Sequence, residues 1–283
     1  MRTLHITHND LDGLGCGVLI KKFLPGNITT AYLGYDDIDN CIEEQMHNYD
    51  QIIVTDVSPK YGSVEMMAGE KDVLIIDHHK TSEKLKDFHF TIHDITKCAS
   101  LLTYEYLIDN GYKAEKYEDF ARCINDVDMW HLKRKDSLQM SVLFNLYGIT
   151  RMEERFLNAP YDGFTKEEQL IITLEEERRD NYINKAKRYI KTLKDKDGLT
   201  FSVLFAENYA SELCNSIIAE GIADYVLQIN PQTKKASLRS HKDVDISVIA
   251  ARNGGGGHKN AAGFSLKDED FDLDNILKRI GIL

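Results

Sequence analysis

Acidic and histidine side chains follow short strand-like runs at three places in the first third of the chain. They are His8, Asp10 and Asp12 after residues 4–7, Asp56 after residues 52–55, and Asp77, His78 and His79 after residues 73–76. Such a short apolar run is typical of a buried parallel strand. Open α/β sheets bind their ligands at the carboxyl ends of these strands, so the residue types predict a reactive site at that edge.

The first of these groups favours a bound cation. In extended backbone, residues i, i+2 and i+4 point to one side of the chain, which allows His8, Asp10 and Asp12 to converge. Two carboxylates this close repel each other unless a cation lies between them. The alternative is that Asp12 caps the following helix and that the other two are turn residues. The stretch beginning at Asp77 has a similar alternative, a buried structural role in which His and Asp side chains hydrogen-bond to each other.

The kinds of donor indicate which ion would bind. Carboxylates with a few imidazoles suit manganese or magnesium better than zinc. The acids and histidines available are more than one ion requires. Two ions about 3.5 to 4 Å apart that share a carboxylate would use the whole set and would supply a nucleophile and a charge clamp for phosphoryl chemistry. We therefore predict two divalent ions at this edge.

Two later stretches add candidates. Asp126 and Asp128 follow a predicted helix and precede Trp130, the only tryptophan; either could be a ligand and both could be caps. The glycine run at residues 254–257, before His258, matches neither the P-loop nor the dinucleotide fingerprint. Its backbone amides would form a nest for a phosphate beside that histidine, and a flexible linker is the alternative.

The elements that position these groups alternate between strand and helix, which predicts a doubly wound parallel sheet in the first part of the chain. Strands are expected at residues 4–8, 29–33, 51–55 and 73–77, and helices at residues 11–24, 38–47, 62–69, 99–110 and 115–124. The charged, proline-free stretch at residues 165–196 predicts one long or two abutting amphipathic helices. A small α+β domain follows, with strands at residues 199–205, 225–229 and 235–239 and helices at residues 211–220 and 246–252. We expect a catalytic domain at 1–160, a helical linker at 161–198 and a substrate-binding domain at 199–283.

Composition limits the classes of function. The chain has 283 residues and a net charge of −11, which argues against a general binder of long nucleic acid because such proteins need a basic face. A phosphorylated substrate is still compatible, since bound cations reverse the local charge. Five scattered cysteines without a C-x-x-C pair suggest neither a disulfide framework nor a zinc ribbon. With no signal peptide or membrane span in the sequence, we expect a cytoplasmic protein that does not bind membranes.

Four motifs together resemble those of the DHH phosphoesterases that carry a DHHA1 substrate domain. The motifs are His8-Asn9-Asp10-Leu11-Asp12-Gly13, Asp56, Asp77-His78-His79 and the terminal Gly-Gly-Gly-His run. The resemblance covers nearly the whole chain, and within the superfamily the same stretches resemble the NrnB-type nanoRNases. The chain departs from the wider family at the fourth metal motif, where Asp128-Met129-Trp130 replaces the usual Asp-x-Gly.

The resemblance implies a role for each residue. One manganese ion would lie on His8, Asp10 and Asp56, and a second on Asp12, Asp56, His78 and Asp128, so that Asp56 is the bridge. Asp77 would hold an imidazole by a hydrogen bond, and His79 would face the scissile phosphate. The substrate's other phosphate would bind to Arg239 and His258, with Gly256 and Gly257 beside them.

The resemblance also implies an activity, namely hydrolysis of very short RNA or dinucleotides to 5′-mononucleotides by a metal-bridging hydroxide. The rival substrates are 3′,5′-bisphosphorylated adenosine and linear or cyclic dinucleotides. Single-stranded DNA is disfavoured because no basic groove is expected. A nucleotide-binding regulator without turnover is the non-enzymatic alternative, and both a monomer and a homodimer are compatible with the sequence.

Overall fold

A five-stranded parallel sheet forms from the apolar runs in the first half of the chain. The computed structural model describes residues 1–267, and its first strands are β1 (Arg2–His8), β2 (Asn27–Leu33), β3 (Gln51–Thr55), β4 (Asp72–Asp77) and β5 (Thr91–His93). The central strand β3 buries Ile52, Ile53 and Val54 completely, as expected for a strand that is covered on both faces.

The order of the strands determines where a ligand would bind. The sheet runs β2-β1-β3-β4-β5, and every neighbouring pair is parallel. The chain therefore winds in one direction from β1 and in the other from β3. Crevices form at the carboxyl ends of strands where the winding reverses. His8 ends β1 and Asp56 follows β3, so both lie at this reversal.

Helices cover both faces of the sheet. They are α1 (Leu11–Phe23), α2 (Ile38–Gln45), α3 (Tyr61–Glu70), α4 (Ala99–Asp109), α5 (Glu118–Asp128) and α6 (Lys135–Asn158). One core cluster joins α2 and α3 to strand residues such as Leu4 and Val54. The other core cluster brings together α1, α4, α5 and α6. This arrangement is the predicted doubly wound α/β architecture.

No helix was predicted from the sequence at the position of α6. The helix predicted at residues 115–124 stops four residues before α5 ends. Helix α6 buries Met140, Leu143, Met152 and Phe156. However, Gly148 interrupts it with φ +67° and ψ 175°, so its apolar residues do not follow a single helical period. Contacts with α1 and α5, rather than periodicity, hold this helix.

A six-stranded mixed sheet forms the second compact unit, which begins at Leu174. Helix α7 (Lys166–Ala186) leads into it. Its other elements are β6 (Lys191–Lys194), β7 (Thr200–Phe205), α8 (Ala210–Ala219), β8 (Tyr225–Asn230), β9 (Lys235–Ser240), α9 (Ser247–Arg252), β10 (Gly256–His258) and β11 (Ala261–Ser265). The order is β10-β11-β9-β8-β7-β6, and only β7 and β8 are parallel. The predicted α+β class is confirmed.

The prediction of helix as far as residue 196 is wrong. Helix α7 ends at Ala186, and β6 pairs antiparallel with β7. A tight turn joins these two strands, because Asp195 Oδ1 accepts the backbone N–H groups of Asp197 and Leu199. All four residues of β6 are exposed, so no apolar alternation marked it as a strand.

The last two glycines of the run, Gly256 and Gly257, begin strand β10 and are not part of a flexible linker. Gly257 pairs with Ala262 between β10 and β11 and has φ +136°. A Cβ atom at this position would lie 2.5 Å from the carbonyl oxygen of Ala261, so both the backbone angle and the close strand require glycine. Within residues 1–267, no helix is long and apolar enough to cross a membrane.

We predict that Phe156→Ala destabilises the first unit by about 3–5 kcal/mol, because it removes a buried ring and leaves a cavity. Phe156 is 1% exposed, and its ring centroid lies 4.4 Å from that of Phe120. Urea denaturation followed by circular dichroism measures the change. The matched control is Phe205→Ala, which removes a phenylalanine that is 67% exposed and should change stability by less than about 0.5 kcal/mol. Equal effects of both substitutions would contradict the importance of α6 for the core.

Candidate metal centre

Asp56 lies at the centre of the carboxyl edge of the first sheet. Its backbone has φ +58°, a left-handed conformation that costs free energy in a non-glycine residue, and its N–H donates to the carbonyl oxygen of Ile76 at 3.0 Å. The residue is 1% exposed. Its Oδ2 atom is buried without a hydrogen-bond partner among residues 1–267. A buried carboxylate oxygen without a donor is costly, and a cation would satisfy it.

His8 and Asp10 lie on one side of Asp56. His8 Nδ1 is 2.6 Å from Asp10 Oδ2 and 4.0 Å from Asp56 Oδ2. Ligand atoms of the three residues lie within 4.8 Å of one another. Asp10 Oδ1 also accepts the N–H of Gly13 at 3.0 Å and so caps α1. A Cβ atom on Gly13 would lie 2.0 Å from the carbonyl oxygen of His8, so this glycine allows the helix to start close against the strand.

Asp12 lies in the first turn of α1 and does not cap it, so that alternative is wrong. Its carboxylate accepts the backbone N–H groups of Ala99 at 2.7 Å and Ser100 at 2.8 Å. These are the first amides of α4, where the helix dipole favours a negative charge. Asp12 Oδ2 is also 3.8 Å from His78 Nε2, so the sheet edge and α4 together fix this carboxylate.

His78 lies close to the remaining acids of the site. Its Nε2 atom lies 3.4 Å from Asp56 Oδ1 and 3.8 Å from Asp128 Oδ2. Burial lowers the pKa of His78, which favours the neutral imidazole that metal binding requires. The structure thus brings His78 together with Asp12, Asp56 and Asp128.

Asp77 and His79 form a hydrogen-bonded pair beside this group. His79 Nδ1 donates to Asp77 Oδ1 at 2.8 Å, the backbone N–H of His78 donates to the same oxygen at 2.7 Å, and the hydroxyl of Ser58 donates to Oδ2. Burial opposes ionisation of Asp77, but these hydrogen bonds outweigh it and lower its pKa. The hydrogen bond from His79 to Asp77 in turn raises the pKa of His79, so a positive imidazolium is favoured there.

The two acids of the fourth stretch lie in different surroundings at the end of α5. Asp126 is 6% exposed and accepts the backbone N–H groups of Lys133 and Arg134 and the hydroxyl of Ser137. These donors, which belong to the loop before α6 and to the first turn of that helix, satisfy its carboxylate. Asp128 is the acid whose carboxylate approaches His78.

Uncompensated negative charge accumulates in the centre. Burial, together with the charges of Asp12, Asp10 and Asp128, raises the pKa of Asp56 well above its usual range. Burial and the charges of Asp12 and Asp10 raise the pKa of Asp128 to about 8. The protein therefore holds these carboxylates close together without providing enough positive charge for them. Carboxylates with imidazoles are donors that suit hard divalent cations, and the groups present fit such ions.

Two residues that the sequence analysis did not select lie against the centre. The ring of Tyr35 packs against that of His8 at a centroid distance of 4.5 Å and a tilt of 35°, and its hydroxyl is 3.4 Å from His79 Nε2. The only available signal was its position just after β2, at the same sheet edge. Cys98 offers a sulfur atom within 4.8 Å of ligand atoms of Asp12 and Asp128. No motif marked it, because chain folding over more than eighty residues brings it there.

The predicted phosphate residues of the second unit lie in one row of its sheet. Ala261 of β11 pairs with Arg239 on one side and with His258 on the other, so the three side chains share a face. Arg239 donates to the hydroxyl of Ser211 and to the carbonyl oxygen of Leu238, both at 2.9 Å. His258 is exposed, as are the two preceding glycines, Gly256 and Gly257.

Two family models match the chain. The model described as DHH family, N-terminal domain, matches residues 2–128, and the DHHA1 domain model matches residues 184–281. Among characterised proteins, oligoribonuclease NrnB of Bacillus subtilis is 29% identical in an alignment of 297 positions. The alignment covers 94% of this chain and 73% of that protein.

Two solved structures share the fold. The pGpG-specific phosphodiesterase PggH of Vibrio cholerae aligns over 98% of this chain and 97% of its own, with a TM-score of 0.59 and 14% identity. Exonuclease RecJ bound to manganese aligns over 97% of this chain and 88% of its own, with a TM-score of 0.51 and 14% identity. At this identity they confirm the predicted fold class and no more.

We predict that Asp128→Asn stabilises the metal-free protein at high pH. Aspartate in an unfolded chain has a pKa of about 3.9, whereas burial and neighbouring acids raise the pKa of Asp128 in the folded chain to about 8. Its protonation favours folding below about pH 4, and this contribution is lost as the pH rises through about 8. The gain from the substitution should therefore be small at pH 4 and largest near pH 9.

Urea denaturation in the presence of EDTA, repeated across this pH range, measures that gain. Asp162→Asn is the control, since it removes an exposed carboxylate between α6 and α7. If the gain in stability of Asp128→Asn does not vary with pH, the gain does not come from the raised pKa of Asp128.

Proposed function

Since the chain belongs to the DHH family of metal-dependent phosphoesterases, we propose that it cleaves very short RNA to 5′-mononucleotides with two manganese ions. The predicted family and the prediction of an enzyme are confirmed, and nucleotide phosphoester hydrolysis is the activity shared with its relatives. The observation that carries the proposal is Oδ2 of Asp56, which is buried without a hydrogen-bond partner among residues 1–267 and lies among five other metal-type side chains.

The relatives support the choice of substrate and ion. NrnB is an oligoribonuclease and PggH acts on a linear dinucleotide, and both match nearly the full length of this chain. RecJ, which shares the fold, binds manganese. The net charge of −11 also favours short substrates, because a long strand would meet repulsion beyond the metal centre.

We assign the ligands in two sets that share Asp56. His8, Asp10 and Asp56 would hold the first ion, and Asp12, Asp56, His78 and Asp128 the second. When bound, such a pair of ions supplies a nucleophile at neutral pH and neutralises charge that develops on the phosphate.

The chain's own residues would orient the substrate. Asp77 fixes the His79 ring through Nδ1. Nε2, which lies 3.4 Å from the Tyr35 hydroxyl, would be the atom that donates to a phosphate oxygen. The raised pKa of His79, caused first by the hydrogen bond with Asp77, favours the positively charged form of this donor. Its charge would stabilise the negative charge of the transition state.

The second unit would bind the substrate's other phosphate. Arg239 and His258 share a face of the sheet, and guanidinium suits a phosphate through its paired donors. Gly256 and Gly257 would allow close backbone approach beside His258. In this assignment, residues 1–160 form the catalytic domain and residues 199–283 the substrate-binding domain. Strand β6, which lies within the predicted connection at 161–198, pairs into the sheet of the second unit.

Other substrates define the alternatives. Cyclic or other linear dinucleotides and 3′,5′-bisphosphorylated adenosine present the same kind of phosphoester to the centre. A regulator that binds nucleotides without hydrolysis would not need so many converging carboxylates. The converging carboxylates therefore favour an enzyme.

We predict that, with manganese, the protein hydrolyses 5′-phosphorylated diribonucleotides faster than RNA of about 20 nucleotides, cyclic dinucleotides, bisphosphorylated adenosine or single-stranded DNA. EDTA should abolish turnover, and added manganese should restore it. Chromatography of the products over time measures each rate. Asp56→Ala should lower kcat at least about 1,000-fold, because it removes the shared carboxylate. Absence of turnover on every substrate while calorimetry shows bound manganese would overturn the proposal.

We predict that the two acids at the end of α5 have separable roles. Asp128→Ala should weaken manganese binding at least about tenfold, because loss even of a group supporting a ligand costs about 10–100-fold. Asp126→Ala should instead lower the free energy of unfolding by about 2–3 kcal/mol, because it leaves three donors unpaired. Calorimetric titration and urea denaturation of both variants test this. The opposite pattern would move the ligand assignment to Asp126.

A further inference from the structure

A cavity of about 220 Å³ opens beside the metal centre within the first unit. One side of it is formed by Asp10, Asp12 and Asp128, which are three of the carboxylates assigned to the ions. The cavity is therefore next to the place where a phosphate bound at this centre would lie. The residues of its other walls are not among the proposed metal ligands.

The other walls are apolar with two polar groups. Ile124 and Val127 of α5 and Phe144 of α6 line the cavity, and Ser141 and Asn145 project into the lining from α6. Ser141, Phe144 and Asn145 are spaced i, i+3 and i+4, which places them on one face of α6. The side chains of Ser141 and Asn145 form no hydrogen bond with any other residue in the part of the chain that the structure describes. Their donors and acceptors are therefore available to a ligand.

We propose that this cavity binds one nucleoside of the substrate, the one attached to the phosphate under attack. This inference rests on the proposed function and adds a site for the uncharged part of the substrate. Apolar side chains with a phenylalanine suit the faces of a base and ribose, and an amide and a hydroxyl suit their polar edges. The volume lies below the ~300–1,000 Å³ of pockets for drug-sized ligands, so the cavity has room for no more than one nucleoside.

The chemistry of the cavity walls excludes other occupants. No Lys, Arg or His side chain is among the residues that line the cavity, so nothing in its walls would pair with a second phosphate. A metal ion would leave the apolar walls unused, and a purely apolar ligand would bury Ser141 and Asn145 without partners. A neutral ring system with hydrogen-bonding edges is the chemistry that satisfies all the walls.

The first test fills the cavity. Ser141→Trp should weaken binding of adenosine 5′-monophosphate at least about tenfold, which is the size expected for loss of one base contact, and Asn145→Ala should weaken it by a smaller factor. Isothermal titration calorimetry with a divalent ion present measures the affinity without requiring turnover. The matched controls on α6 are Leu138→Trp and Gln139→Ala, which lie outside the lining and should leave it unchanged. Circular dichroism of each variant verifies folding, and equal affinities for the Ser141 variant and the wild type would overturn the site.

The second test separates this site from the proposed function. For the wild type, kcat/KM should be at least about tenfold higher for a diribonucleotide than for an analogue that lacks one of its bases. In Ser141→Trp this ratio should fall towards one. A wild-type ratio near one for both single-base analogues would refute the nucleoside site and would still leave a working oligoribonuclease. Conversely, tight monophosphate binding that Ser141→Trp abolishes, without hydrolysis of any oligonucleotide, would support the site while refuting the activity.

Discussion

Repulsion between carboxylates that the fold holds close together is the constraint on which the first unit depends. Asp10, Asp12, Asp56 and Asp128 lie near His78 or His8, and the pKa values of Asp56 and Asp128 are raised as a consequence of burial and of their acidic neighbours. The left-handed backbone of Asp56 adds a local cost. A fold that retains both features gains stability from a bound cation, because ions bind the folded state and not the unfolded one.

The protein's own donors separate the acids that need a cation from those that do not. Asp77 accepts hydrogen bonds from Ser58 and His79, and Asp126 accepts three from the loop before α6 and the first turn of that helix. These two carboxylates are fully used in holding other groups in place. Asp56 keeps an oxygen that no donor within residues 1–267 reaches. Chemically identical side chains in neighbouring positions therefore differ in role because of the amides and hydroxyls that reach them.

The sequence predicted the part of the fold that local patterns encode, and folding over long distances explains what it missed. The strands that end at His8, Thr55 and Asp77 carry their own apolar signal, so the shared edge could be inferred before the structure. In contrast, Tyr35 and Cys98 reach the centre only because β2 and α4 pack where they do. Strand β6 has no apolar face, and the break at Gly148 hid α6. Even Asp12 was ambiguous until α4 was seen to donate to it.

Helix α6 connects the stability of the fold to the shape of the site. Its buried residues, including Met140 and Phe156, complete the core, and Ser141 and Asn145 on another face line the cavity. The loop before it is held by Asp126, two residues from Asp128. A shift in this loop would therefore move a cavity wall and a carboxylate of the centre together. Hence the packing that stabilises the first unit also sets the distance between the metal centre and the cavity wall on α6.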